Sequence, residues 1–332
     1  MFEEKNKTLI GWARAARALA SVLVLAVSAS VLAQGYPAKA VRVVVPYAPG
    51  GGSDVISRIL AQRMSESFGR QFVIDNRAGA NGIIGTEMVV QAPADGYTLL
   101  YVSSPHAVNP SMYRKLPYDT LKDLTPISEV AIASLLLVVH PSLPVRTVGE
   151  LVALAKARPG QIDYASGGSG GSPHLATELF KKMAGVNLIH VPYRGAGPAL
   201  TDVLAGQVQV MFSASASALP HVRSGRLRAL GISSTRRSAA APEIPTVAES
   251  GVPDFEAVII FGLVAPANTP RAIIELLNAG VHKAMRIPEV GESIKTLGAD
   301  VVLTTPEGFG NVIASEITRW GELVRALNLQ VE

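Results

Sequence analysis

The sequence predicts an α/β protein made of two lobes, with a ligand cleft and a hinge between them. Short runs of β-branched residues alternate with amphipathic stretches, a pattern typical of parallel sheets flanked by helices. Two long apolar runs, at 130–139 and 257–265, separate two such series. The chain has 332 residues, more than a single hydrophobic core commonly serves. This length favours two lobes over the alternative of one doubly wound sheet with a helical tail.

The first 33 residues have the three-part pattern of a secretory signal peptide. Basic residues precede the apolar run Leu19–Leu32, and the small residues Val31 and Ala33 fit a cleavage before Gln34. The alternative is an uncleaved membrane anchor, but the run is shorter than the roughly 18–20 residues that span a bilayer. We therefore expect residues 1–33 to be removed during export.

Composition excludes several classes of function. The chain has no cysteine, which excludes a disulfide framework, a thiolate metal site, a cysteine nucleophile and lipid attachment to an N-terminal cysteine. No pair of histidines has metal-ligand spacing with a carboxylate, so neither a metal nor another cofactor is expected. The formal net charge of +4 is too small to indicate nucleic acid or a membrane surface as a partner. It is compatible with a small anionic ligand.

The elements follow in chain order from their apolar periodicity. In the first series, strands are predicted at 41–46, 71–75 and 97–102, and helices at 54–68 and 81–91. In the second, strands are predicted at 162–165, 187–191 and 208–212, and helices at 173–183 and 198–205. Helices at 270–286, 288–297 and 306–328 then return to the first lobe. Lobe 1 is thus residues 34–135 plus 258–332, and lobe 2 is residues 136–257.

The segment Tyr47–Asp54, between the first strand and the first helix, is the most informative loop. Three consecutive glycines, Gly50 to Gly52, let the backbone approach a ligand closely. The uncovered N–H groups and the positive end of the helix dipole attract anions. Ser53 or Asp54 is expected to cap the helix. The spacing matches neither a dinucleotide fingerprint nor a Walker loop, and by itself the loop is equally compatible with a tight structural turn.

Similar loops follow the other predicted strands, and ligands of open α/β sheets bind beyond the carboxyl ends of the strands. The Gly/Ser-rich loop 166–172 precedes Pro173, which is typical of a helix start. The remaining loops are 77–82, 103–106, 193–197 and 213–217. Loops of this kind on both lobes would hold a carboxylate mainly through backbone N–H groups and hydroxyls.

A serine hydrolase is the competing interpretation, because Gly167–Gly171 matches the G-x-S-x-G motif around Ser169. Three features weigh against it. The helix is predicted to start at Pro173, so Ser169 lies inside a loop and not at a sharp strand–helix vertex. The loop is glycine and serine throughout, and the sequence contains no second oxyanion loop. His174 and Arg194 could contact a ligand or serve packing, with Arg194 tied to Asp202 in the second case.

Several ordered motifs resemble the Bug receptors, the substrate-binding proteins of tripartite tricarboxylate transporters. They cover essentially the whole mature chain, as Pro46–Asp54, Asn76–Gly82, Asp95–Leu99, Gly170–Leu175, Val191–Ala199, Asp202–Gln207 and Ile244–Glu249. The resemblance implies a type II periplasmic-binding-protein fold, a periplasmic location and a ligand carboxylate held between the loops of the two lobes. The implied contact residues are Tyr47, Ala48, Gly50, Gly51, Gly52, Ser53, Asp54, Ser103, Ser104, Gly168, Ser169, Gly171, Ser172, His174, Tyr193, Arg194 and Ser213.

The resemblance also implies a function without catalysis. A monomeric receptor would capture a dicarboxylate, tricarboxylate, amino acid or aromatic acid and deliver it to the membrane permease subunits of the transporter. A second possibility is that the receptor presents its ligand to a sensor kinase. Asp54 is expected to stabilise its helix more than it touches an anionic ligand.

Overall fold

The computed structural model describes residues 35–193, 195–238 and 240–329. The predicted signal peptide, its predicted cleavage site and Arg194 therefore lie outside the described residues. The strands are β1 Val41–Val45, β2 Phe72–Asn76, β3 Thr98–Ser103, β4 Leu124–Val139, β5 Asp163–Ser166, β6 Ile189–Pro192, β7 Val210–Ala214, β8 Arg228–Ile232, β9 Val258–Pro266 and β10 Ala299–Val301. The α-helices are α1 Gly52–Phe68, α2 Ile83–Val90, α3 Pro105–Met112, α4 Val148–Ala157, α5 Ser172–Ala184, α6 Ala196–Leu204, α7 Ser215–Arg223, α8 Arg271–Met285, α9 Pro288–Thr296 and α10 Pro306–Ala326. No described helix has the length and apolar character to cross a membrane.

The sheet is mixed, whereas the sequence predicts parallel sheets. The strand order is β2-β1-β3-β9-β4-β7-β5-β6, and β8 and β10 also pair with β4. Pairing is parallel between β1 and its neighbours β2 and β3, and between β5 and its neighbours β6 and β7. The long strands β9 and β4 join these two parallel groups through antiparallel pairing. The apolar runs predicted to pass between the lobes are these two strands.

Strand β4 exchanges partners halfway along its length. It pairs with β9 as far as Ser134 and with β7 from Leu135 onward. The division into two lobes stays a prediction, and this exchange of partners at its proposed boundary supports it. Ser103, at the end of β3, aligns with Phe261, while Ala214, at the end of β7, aligns with Leu135. The carboxyl ends of β3 and β7 are therefore both directed toward the exchange point.

The C-terminal helix α10 contacts two hydrophobic clusters. Phe309 and Ile313, near its start, pack with Val44 and Leu100 of the first parallel group. Trp320, Leu323 and Val324, near its end, belong to the cluster that contains Phe180 and Phe212 of the second group. The helix predicted to return to lobe 1 therefore also packs against the second parallel group. It spans both sides of the exchange point in β4.

Candidate functional site

The Gly-rich loop after β1 leads directly into α1. The helix begins at Gly52 with Gly51 as its N-cap, and no side chain makes a capping hydrogen bond. The expectation that Ser53 or Asp54 caps the helix is wrong, because both lie inside its first turn. Ala48 through Gly52 are exposed, and Gly50 adopts the left-handed φ of 85° that favours glycine. The uncapped N–H groups at the start of α1 are accordingly open to an anion.

Asp54 anchors this loop from behind. Its carboxylate is buried and accepts hydrogen bonds from Gly50 N (2.9 Å), Arg58 Nε (3.0 Å) and Asn76 Nδ2 (2.9 Å). Burial acts to raise the pKa of the Asp54 carboxyl, but the hydrogen bonds from Arg58, Gly50 and Asn76 outweigh it and hold this pKa below its usual value. The Asp54 side chain thus faces the protein. Asp54 was predicted among the ligand contacts, and in the structure its carboxylate supports Gly50.

Asp54→Asn is expected to lower the free energy of unfolding by about 1–2 kcal/mol, because the charge-assisted bonds to Arg58 and Gly50 weaken. Carboxylate affinity should change by no more than a few fold, since the side chain does not face the ligand. Urea denaturation and calorimetric titration measure the two effects. Asp254→Asn is the matched control, because Asp254 is exposed with a φ of 60° that asparagine tolerates. Complete loss of binding in a folded Asp54→Asn protein would show that Asp54 contacts the ligand.

Tyr47, at the start of the loop, contacts Ser103, and Ser104 follows Ser103 at the end of β3. Burial raises the pKa of Tyr47 above its usual value, an effect that its hydrogen bonds with Ser103 offset only in part, so the phenol stays neutral. Ser103 is buried at the end of β3. The Ser104 hydroxyl accepts a hydrogen bond from Ile260 N (3.1 Å) and lies 3.5 Å from the carbonyl oxygen of Val258. Ser104 therefore fastens the start of α3 to β9, a role that its position in the sequence does not reveal.

The Gly/Ser-rich loop between β5 and α5 is held at both ends. Gly195 N donates to Gly167 O (3.0 Å), which ties the loop to the segment before α6. Gly170 N donates to His174 Nδ1 (3.1 Å). A Cβ atom added to Gly170 would lie 2.7 Å from Cε of Met112, the last residue of α3. The loop therefore approaches α3, the helix that follows Ser103 and Ser104.

His174 lies in the first turn of α5 and is kept neutral. Burial, with a further contribution from His190, lowers the pKa of His174 to about 4. Its ring stacks on that of His190, with centroids 4.2 Å apart, and His190 stacks on Tyr164 at 4.8 Å. Because Nδ1 accepts the Gly170 N–H, the ring proton resides on Nε2. His174 can thus offer an N–H donor without a formal charge.

The other predicted contacts have more local roles. The Tyr193 hydroxyl donates to Asp202 Oδ2 (2.7 Å), and burial together with this carboxylate raises the pKa of Tyr193 to about 12. Tyr193 thus contacts Asp202, the residue to which one of the two interpretations of Arg194 ties this loop. Ser213 is buried on β7 opposite Leu136. Ser172 is the first residue of α5.

The geometry around Ser169 differs from that of a serine nucleophile. Ser169 is exposed in the loop, three residues before α5 begins. Among the described residues no hydrogen bond joins its hydroxyl to a histidine, and the nearby His174 uses Nδ1 to bind Gly170. In the part of the chain that the structure describes, no group of three acidic, histidine or cysteine side chains could hold a metal ion.

Two asparagines that sequence reasoning missed stabilise the loop 77–82. Asn81 Nδ2 donates to Asn109 Oδ1 (3.0 Å), and Asn109 Nδ2 donates to Asn81 O (3.1 Å). Asn81 has a φ of 53°, a conformation in which asparagine is enriched. The dipeptide Asn81-Gly82 is the local signal that could have identified this position. The pair connects the loop after β2 to α3.

Known proteins resemble this chain over nearly its whole length. Residues 56–329 match the family model described as tripartite tricarboxylate transporter family receptor. The chain is 42% identical over 301 residues to Protein BugT of Bordetella pertussis, covering 90% of this chain and 92% of BugT. A structure from R. palustris with adipate has 35% identity and a TM-score of 0.77, covering 87% of this chain and 97% of that one. MatC from Rhodopseudomonas palustris with bound malate has 30% identity and a TM-score of 0.74, covering 87% and 100%.

Proposed function

This chain belongs to the tripartite tricarboxylate transporter receptor family, and we propose that it is an exported receptor that binds a small carboxylate between its two lobes. The predicted Bug resemblance and periplasmic-binding-protein fold are confirmed. One observation carries the proposal for this chain. The start of α1 presents uncapped N–H groups on exposed glycines, and the buried Asp54 holds the adjoining Gly50 in place.

The proposed site uses neutral donors from both lobes. The loop Ala48–Ser53 supplies backbone N–H groups at a helix N-terminus. The loop Gly168–Ser172 supplies further N–H groups and hydroxyls, and His174 adds an imidazole N–H donor. The names of the two R. palustris structures associate adipate and malate with this family. Dicarboxylates of similar size are therefore the ligand class that we propose to test first.

We propose a role in transport without catalysis. Ligand binding favours a closed arrangement of the lobes through its higher affinity for that arrangement. Closure buries the ligand and presents a surface made by both lobes to the permease of a tripartite tricarboxylate transporter. The monomeric receptor would act in the periplasm after its signal peptide is removed.

A thermal-shift panel of mono-, di-, tri- and aromatic carboxylates tests this function. A ligand present at 100 times its Kd adds about 2.7 kcal/mol to stability, which is a measurable rise in Tm. We expect at least one dicarboxylate to give such a rise, and neutral amides of the same acids to give none. Small-angle scattering of the same samples tests closure, which lowers the radius of gyration. If no carboxylate raises Tm, the proposed function is wrong. If Tm rises while the radius of gyration stays constant, only the proposed closure of the lobes is wrong.

A further inference from the structure

Both strands that pass between the lobes are joined at one buried serine, Ser233. Its backbone N–H donates to Leu135 O (2.8 Å), and its hydroxyl accepts from Leu135 N (2.8 Å). The same hydroxyl donates to Ala257 O (2.6 Å). Leu135 is the residue at which β4 changes partner, and Ala257 immediately precedes β9. The segment around these three residues is therefore the structural hinge of the proposed two-lobe arrangement.

Three glutamates lie beside this hinge. Glu129 is on β4, Glu256 directly precedes Ala257, and Glu316 is on α10. Together with Val258 and Ile260 they line a cavity of about 430 Å³. Three acidic side chains thus share one cavity, whose wall also contains Val258, the residue that follows Ala257.

The charges around Glu129 are unbalanced. The guanidinium group of Arg319, on α10, is already engaged. One of its nitrogens lies 2.7 Å from the Glu316 carboxylate, and another donates to Glu256 O (3.0 Å) and lies 4.0 Å from the Glu256 carboxylate. Trp320 Nε1 also donates to Glu316 (2.6 Å). The segment after β10 contributes only uncharged groups, Val302 to the cavity wall and the Thr304 hydroxyl to the Glu129 N–H.

Within the described residues, no hydrogen bond or ion pair reaches the carboxylate of Glu129, a residue that is 4% exposed and lines the cavity. Burial, then repulsion from Glu316 and Glu256, raises the pKa of Glu129 to about 7. A buried carboxyl without a partner and facing two carboxylates favours its neutral form. This group can therefore gain or lose a proton under ordinary conditions.

We propose that Glu129, Glu256 and Glu316 form a proton-linked hinge, in which one proton taken up by the cluster shifts the balance between open and closed lobes. Glu129 and Glu316 belong to one lobe, whereas Glu256 lies on the passage to the other. Lobe movement changes the separation of Glu256 from Glu129 and hence the cost of ionising Glu129. By linkage, protonation favours the arrangement that brings these two side chains closest.

This inference rests on the proposed function only in assuming lobes that open and close, so it can be tested without ligand. The chain has no cysteine, so Gln62→Cys on α1 and Lys182→Cys on α5 would be the only attachment sites for a fluorescent donor–acceptor pair. Both positions are exposed and lie on opposite lobes. Energy transfer is then recorded between pH 6 and 8 in the doubly labelled protein.

We expect transfer to change with a midpoint near pH 7. Glu129→Gln, which mimics the protonated carboxyl, should abolish the change. Glu256→Gln should move the midpoint to lower pH, because one repelling charge is lost. The control Glu322→Gln, at an exposed position of the same helix, should retain the native curve. A flat native curve, or an unchanged curve in Glu129→Gln, would overturn the inference. Adipate and malate added to the same labelled protein report separately on the proposed function.

Discussion

Gly262→Ala is expected to lower the free energy of unfolding by about 3 kcal/mol, the upper part of the range for overpacked cores. An added Cβ atom would lie 2.1 Å from Cζ of Phe309, a side chain with no exposed surface. Gly262 is on β9 between Val102 of β3 and Glu129 of β4, so the backbone cannot shift without breaking two ladders. Urea denaturation followed by circular dichroism measures the effect.

The matched control is Gly291→Ala in α9, where an added Cβ meets no atom within 4 Å. Alanine there should leave stability unchanged or raise it by up to about 1 kcal/mol, because it favours helix. Combining Gly262→Ala with Phe309→Leu should destabilise less than the sum of the single changes, since leucine frees space at the contact. An unchanged denaturation midpoint for Gly262→Ala would mean that α10 does not pack on β9 in this way.

The parts of the fold with strong local signals were predicted closely. β1 and α1 begin within two residues of their predicted starts, because a β-branched run, a glycine triplet and helical spacing adjoin. The helices α3 and α7 were missed. α3 contains Pro105 and Pro110, and α7 starts in a Ser/Ala repeat and contains Pro220, so both have poor intrinsic helix propensity that tertiary packing overrides.

A third helix, α4, was missed although its sequence carries a signal. Thr147 is its N-cap and accepts a hydrogen bond from Glu150 N (3.1 Å), as in a capping box. The Thr-x-x-Glu spacing would have identified this helix start before an apolar stretch. The start of α4 is therefore encoded locally, whereas α3 and α7 depend on contacts that no local pattern encodes.

The candidate site, like the fold, could be predicted only in part. Its loops could be placed because glycines and strand ends are local features. The hydrogen bonds that support these loops could not be predicted, because they join residues that are distant in the sequence. Asp54 meets Asn76, 22 residues away, and Ser104 meets Ile260, 156 residues away. The glutamate cluster beside the hinge joins β4, the residue pair before β9 and α10, and no spacing in the sequence brings these together.

Gly52→Pro is expected to weaken carboxylate binding by about 1.5–3 kcal/mol, the range for a hydrogen bond to a charged group. Gly52 is the first residue of α1, where proline is favoured, and the preceding Gly51 has the extended backbone that proline requires. An added Cβ at Gly52 meets no atom within 4 Å. The substitution therefore removes one N–H group from the proposed anion site while the fold is retained. Gly52→Ala adds a similar Cβ but keeps the N–H, which makes it the matched control.

Calorimetric titration of these two variants tests the central claim, that backbone N–H groups at the start of α1 bind the ligand carboxylate. The ligand is the acid with the largest thermal shift in the native protein, with adipate and malate tried first. We predict native-like affinity for Gly52→Ala and a Kd raised at least about tenfold for Gly52→Pro, with both proteins as stable as the native one. Equal affinity in Gly52→Pro and Gly52→Ala would contradict the claim and place the carboxylate elsewhere.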